Sequence, residues 1–440
     1  MRKRTRPTRG QVVFSAGALL LALAFVHAAF HLTEVSPEGW GLTMVYAVTI
    51  VVGELWRVSV LGTRDFPPIA LAASLALPMT TILPGGLQVG YSAGFVVVVV
   101  ALSTYIGQWA RRALREGEPA LSQGGSRVIV VSMAAVIYRE VPLEGRALAD
   151  WVEDWHDVKW LTALTMISVA LLAMGLKVLL LAMRHSSSTH ALLWQSLVDE
   201  VRAVGPLALA TASTAAVIAL AVTALGPVAI PLFLAPLLLL QLAVSRQSAV
   251  REAQRQTIRS LSRLTDQGGF TPSGHGARVA DLSLAMGRDL GLAERDLVEL
   301  EYSALLHDLG QVALRRPIPG GSTTATSPLD QRRIAQTGAS ILARTAELSR
   351  LSQVVAGQAT PFRHGREGAE LMLQSRILRV SNAFDDLGGP TGHGPVARRA
   401  LDRIRLNLGY DYDPLVVRSL CRVLVREGRI TSNDVADLDL

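Results

Sequence analysis

The stretch "ALLHDLGQ" (residues 304–311) ends an apolar, helix-like run in His307-Asp308 and is broken at once by Gly310. Adjacent residues on an α-helix point about 100° apart. At a helix end, however, both side chains can splay into one cleft. A neutral imidazole beside a carboxylate suits borderline divalent metals such as Fe, Mn or Zn. A bound ion of that kind would lower the pKa of a water for attack on phosphorus. An HD dipeptide on its own is common, and a buried His capping a carbonyl is its usual explanation, so its surroundings decide.

Working outward, residues from 275 onward show helical periodicity and no useful strand-like alternation. "HGARVADLSLAMGRDLGL" places apolar residues at helical spacing and ends near Gly291. "AERDLVELEYSALLHDLG" repeats the pattern and stops at Gly310. Ser327-Pro328 and Asp413-Pro414 each read as a helix cap followed by a first-turn proline. "SRILRVSNAFDDL" (375–387) and "PVARRALDRIRLNL" (395–408) are further expected helices, and the Pro-, Gly-, Ser- and Thr-rich segment 315–327 is an expected loop. The C-terminal half, 269–440, is therefore expected to be an all-α bundle. Its polar constellation is His275, His307 and Asp308, with Asn382 and Asp385 farther along.

The chain has 440 residues, half of them hydrophobic, and a formal charge of +7. Apolar residues pile into long runs before residue 245. A membrane-crossing helix needs about 20 mostly apolar residues. Eight stretches qualify as expected spans: 11–31, 40–60, 66–83, 89–110, 124–139, 158–183, 205–224 and 226–245. Residues 1–245 are thus expected to form a polytopic membrane domain in a lipid bilayer. Alternate loops carry the positive charge: "MRKRTRPTR", Arg57 and Arg64, Arg111, Arg112 and Arg115, Arg184 and Arg202, Arg246 and Arg251. By the positive-inside rule this predicts a multi-pass protein of a bacterial-type plasma membrane with both termini cytoplasmic. The charge follows topology, and no basic patch carries interleaved aromatics, so neither DNA nor RNA is expected as a partner. Cys421 is the only cysteine, which excludes an intrachain disulfide and a cysteine metal cluster.

Three features of the apolar half stand out. Glu54 and Arg57 are three apart and would form a charge pair on one helix face. His27 and His31 are four apart, and "DWVEDWHDVKW" (150–160) mixes Trp with acids as interfacial belts do. Residues 246–268 read as an amphipathic connector helix. Arg251, Arg255, Arg259 and Arg263 recur every fourth residue along it, suited to anionic headgroups. Its apolar stripe could pair two such helices in a homodimer.

The residues around the dipeptide resemble the HD phosphohydrolase superfamily, more closely its HD-GYP branch. "SALLHDLGQ" is similar to that branch's "AALLHDIGK", "SGHGARVADLSLAMGRDLGL" to its first helix, "SRILRVSNAFDDL" to "ARILAVADAFDAL", and "LGYDYDPLVVRSL" to "GTQFDPEVVEAL". The resemblance covers roughly 255–425, and the spans ahead of it look like membrane-anchored members of the branch. It implies an all-helical HD domain with a divalent metal on His275, His307 and Asp308, Asp308 being the catalytic acid. It also implies hydrolysis of a nucleotide or cyclic nucleotide. There are departures. The late aspartate ligand is Asn382, leaving an amide as the fourth donor. The motif lysine, which would sit beside a phosphate, is Gln311. The histidine of "HPxxG" falls at Ile334, Thr271 stands where some members carry an acid, and the "HHE" and "GYP" elements are absent, with His364 a stray candidate in their place. The resemblance therefore implies either a phosphodiesterase-type enzyme with a partly degraded site or an inactive pseudoenzyme that binds a nucleotide or partner and relays a membrane signal.

Overall fold

A computed structural model describes residues 9–60, 64–115, 121–155, 158–189, 193–346, 348–363, 371–390 and 392–436. The described chain is predominantly helical. It divides into two compact units, one of residues 1–188 with 196–250 and one of 189–195 with 251–440.

The first unit runs α1 (Arg9–His31), α2 (Pro37–Leu55), α3 (Pro68–Met79), α4 (Ala93–Arg115), α5 (Leu121–Arg139), α6 (Leu148–Asp154), α7 (Lys159–Thr189), α8 (Leu193–Leu225) and the start of α9 (Ala229–Gln267). Three two-stranded antiparallel hairpins interrupt it: Val58–Val60 with Arg64–Phe66, Ile82–Leu83 with Leu87–Gln88, and Pro142–Leu143 with Arg146–Ala147. α3 is buried along its whole length and forms the centre of an apolar core shared with α2, α4, α5 and α8.

By length and composition, four stretches among the described residues are apolar enough to cross a membrane, not the eight expected: Gln11–Glu34, Ala93–Leu114, Lys159–Arg184 and Leu193–Gln267. The difference has physical causes. The expected spans 205–224 and 226–245 fall within the single stretch Leu193–Gln267. Span 66–83 folds as the 12-residue α3, too short to cross. Span 40–60 stops at Leu55 and turns into a hairpin, and its helix carries Glu38 and Glu54 near its two ends. Span 124–139 belongs to a helix that opens on a polar turn and holds a buried arginine, Arg127.

His27 and His31 lie near the end of α1 with rings stacked 4.5 Å apart, and His31 Nδ1 donates to the His27 carbonyl at 2.9 Å. That bond uses one ring nitrogen locally. In "DWVEDWHDVKW", residues 156 and 157 lie outside the described residues.

The second unit takes in the rest of α9, then α10 (His275–Asp289), α11 (Glu294–Leu306), α12 (Pro328–Ala343), α13 (Ser349–Gly357), α14 (Leu373–Gly388), α15 (Pro395–Arg405), α16 (Pro414–Arg426) and α17 (Ser432–Ala436). Ser327 and Asp413 accept the backbone N–H of Asp330 and Leu415, capping α12 and α16. Its core gathers Val279, Met286, Leu300, Ile377, Phe384 and Leu420 from five helices. On α9, Arg255 and Arg259 pair with the buried Glu301 of α11 at 2.7 and 3.1 Å. Two of the four stripe arginines thus have a protein carboxylate as partner.

Two glycines permit the close approaches that build the site. A Cβ on Gly310 would lie 2.0 Å from the Ile334 carbonyl oxygen and 2.8 Å from the Gly338 nitrogen, so α12 packs directly on the turn after Asp308. A Cβ on Gly276 would lie 2.5 Å from Ser262 Oγ, so α10 starts hard against the last turns of α9.

A candidate metal centre beside a cavity

α11 ends at Leu306, with His307 as its C-cap. Asp308 follows at φ −94°, ψ 6°, and a short 3₁₀ turn, Leu309–Ala313, continues the chain. Breaking the helix at this point lets the two adjacent side chains converge. Asp308 Oδ2 lies 3.3 Å from His307 Nε2. α10 brings in His275 as its first residue, behind Gly274 in the left-handed region. His275 Nε2 is 3.3 Å from His307 Nε2 and 3.4 Å from Asp308 Oδ2. All three side chains are buried, and they form a group able to hold a divalent ion.

The hydrogen bonds behind the rings fix their roles. His307 Nδ1 sits 2.7 Å from the Ala304 carbonyl, which can only accept, so Nδ1 carries the proton. His275 Nδ1 donates to Asp385 Oδ2 at 2.8 Å. In the neutral rings both Nε2 atoms therefore present lone pairs to the same point. Asp308 Oδ2 is buried there without a hydrogen-bond partner. Two lone pairs and a carboxylate oxygen facing one another fit a cation. The edges of the triangle match neighbouring ligands at roughly 90–110° around an ion bound at about 2.1 Å. Asn382 adds a fourth donor: its Nδ2 donates to Thr323 Oγ1 at 3.0 Å, which turns Oδ1 to within 3.2 Å of His307 Nε2.

The electrostatics agree. Burial alone would raise the Asp308 carboxyl, but His307 and His275 outweigh it and hold it well below the usual carboxylate range. At His275 burial opposes the charged ring, yet the Asp308 and Asp385 carboxylates prevail and push it up to about 10. A divalent ion would displace the proton that this field attracts.

Asp385 is more than a neighbour. Besides His275 it accepts from Arg278 Nε and Nη2, both at 2.8 Å, so an Arg–carboxylate fork locks the ring that presents His275 Nε2. Replacing Asp385 with Asn is expected to weaken divalent-metal affinity about 10- to 100-fold. Metal titration of the purified chain checks this, and an unchanged affinity would contradict the orienting role.

Sequence reading placed Asp385 near the constellation without a partner. Arg278, Thr323 and Gln358 escaped it. Gln358 Nε2 donates to the His307 carbonyl at 2.9 Å and steadies the turn. Arg278, one turn along α10 from His275, carried the only available signal. Gln311 does not reach the donor triangle. It is fully buried, and its amide points to the Gly321 carbonyl at 3.5 Å. Ile334 is also buried, under the turn. His364 lies outside the described residues. In the first unit Glu54 and Arg57 do pair, and Arg127 joins them.

A cavity of about 300 Å³ opens beside the triangle, reached by Asp308 and Asn382. Tyr410 and Tyr412 line it, as do Arg379 and Arg332. Arg379 is committed to Asp411 at 2.8 Å and to the Gln358 carbonyl at 2.9 Å. Arg332 is exposed and has no acidic partner among the described residues.

Residues 259–416 match the family described as HD domain, so the chain carries an HD domain of the HD superfamily in its second unit. Over 177 residues it is 25% identical to 3'3'-cGAMP-specific phosphodiesterase 3 of Vibrio cholerae serotype O1, covering 38% of each protein. Over 197 residues it is 25% identical to the cyclic di-GMP phosphodiesterase response regulator RpfG of Xanthomonas campestris pv. campestris, covering 41% of this chain and 51% of that protein. The chain thus spans about half the length, or less, of these curated relatives.

Proposed function

We propose that the chain is a membrane-anchored signalling protein whose HD domain is a metal-dependent phosphohydrolase of the phosphodiesterase type, acting on a nucleotide or cyclic nucleotide. The observation that carries this reading is the donor triangle of His275, His307 and Asp308 opening onto a cavity of about 300 Å³. The names of the two relatives support the substrate class.

A divalent ion, Fe, Mn or Zn, would supply Lewis-acid activation of water and of a phosphoryl oxygen. His275 and His307 would bind it through Nε2, Asp308 through its carboxylate and Asn382 through its amide oxygen. Asp385 and Arg278 hold His275 in the tautomer this requires. Arg332, with no acid to neutralise it, is placed to meet a phosphate at the cavity mouth. Tyr410 and Tyr412 offer ring faces to a base. The first unit anchors the domain in a bacterial-type plasma membrane by several spans, with both termini cytoplasmic, and α9 carries the connection. Exposed Val250 and Leu264 on α9 are suited to pairing two chains in a homodimer.

One observation favours a second reading, an inactive relay that binds nucleotide without turnover. The fourth donor is a neutral amide, and Gln311 places no cation beside Asp308. Restoring the carboxylate separates the two. Asn382→Asp is expected to tighten metal binding about tenfold and to raise turnover of cyclic di-GMP, 3'3'-cGAMP or a simple phosphodiester. Nucleotide binding with no hydrolysis in either protein would favour the relay.

A further inference from the structure

The first unit buries a second charged cluster that the HD chemistry does not use. Glu54, fully buried near the end of α2, receives Arg57 Nε at 3.1 Å on one carboxylate oxygen. Its other oxygen is ion-paired with Arg127 Nη2 of α5 at 2.5 Å. Next to Arg127, Ser126 Oγ accepts from Lys177 Nζ of α7 at 2.8 Å. Arg57 and Arg127 side chains are each 4% exposed and Lys177 is 5% exposed. α4 closes on the cluster through Gly107, where a Cβ would lie 2.6 Å from Glu54 Cβ.

The charges do not balance. One carboxylate faces two guanidinium groups, and Lys177 adds a third cation when protonated. The excess is positive in either state of the lysine. A buried charge without a counter-charge is among the costliest features a protein can hold, and inside a membrane unit it marks a site. The hydrogen bonding leaves the same gap: Arg127 Nε and Nη1 are buried with no acceptor. Water could satisfy an N–H group but not the excess charge. A small oxyanion does both, and guanidinium with ammonium is the side-chain pair that binds phosphate.

We propose that Arg127 and Lys177, with Arg57 and Glu54, form a binding site for a phosphate group in the membrane-side unit, supplied by a lipid headgroup or by free phosphate. Glu54 holds the two arginines side by side, and the free face of Arg127 takes the anion. The cluster lies at the helix ends that the loop charges assign to the cytoplasmic side, where both sources are found.

The test uses the full chain with His307→Ala in chelator, so that the HD site contributes no phosphate binding. In phosphatidylcholine nanodiscs, inorganic phosphate is expected to raise the melting temperature by about 2–4 °C. Arg127→Gln and Lys177→Gln are each expected to weaken the apparent affinity at least about tenfold. If phosphatidylglycerol nanodiscs give the same rise and free phosphate then adds nothing, the headgroup is the source. The proposal is overturned if neither phosphate nor phosphatidylglycerol raises the melting temperature of the parent chain. It is equally overturned if every variant that folds keeps the full response.

Discussion

Asp308→Ala is expected to lower divalent-metal affinity by at least about 100-fold and to abolish phosphodiester hydrolysis with it. Asp308 supplies the one negative charge of the donor triangle, and its Oδ2 has no other partner. Removing it leaves two imidazoles and an amide, a neutral set with weaker hold on a dication. The same carboxylate helps to raise the His275 pKa, so the variant should also bind a proton there less tightly. Asp308→Asn keeps the volume and removes only the charge, so the two variants should behave alike. Wild-type metal content and turnover in either would contradict the assignment.

Gly310→Ala is expected to be the most destabilising single change in the HD domain, although it touches no ligand. The added methyl would lie 2.0 Å from the Ile334 carbonyl oxygen, so α12 must move away from the turn. Ile334, Ala335 and Gly338 pack on this face of α12 and would move with it. Forcing backbone apart in a packed core costs about 3 kcal/mol or more. For a unit of this size that lowers the unfolding transition by about 6–12 °C. The turn also carries Asp308 two residues back, so metal binding should fall as well. Thermal unfolding of the purified chain checks both, and an unshifted transition would show that the turn yields easily.

The HD dipeptide was legible because its signal is local: an apolar helical run, two donor residues, then a glycine that ends the helix. His275 and Asn382 were legible through the stretches that surround them. Asp385 as the acceptor for His275 was not, because the pair is separated by 110 residues and only tertiary packing brings α10 to α14. The number of spans failed for another reason. Apolar runs report burial, not the medium that buries them. α3 is apolar because protein surrounds it on every side, and the Glu54–Arg127 pair is hidden because each partner sits alone in its own apolar helix. Gln311 was expected near phosphate from its place after the dipeptide, but the 3₁₀ turn rotates it into the core.

The most direct test of the metal centre is elemental analysis of the purified full chain after exposure to Fe, Mn and Zn. The account predicts about one tightly held divalent ion per chain, lost in His275→Ala, His307→Ala and Asp308→Ala alike. A chain that retains no metal, or variants that retain as much as the wild type, would contradict it.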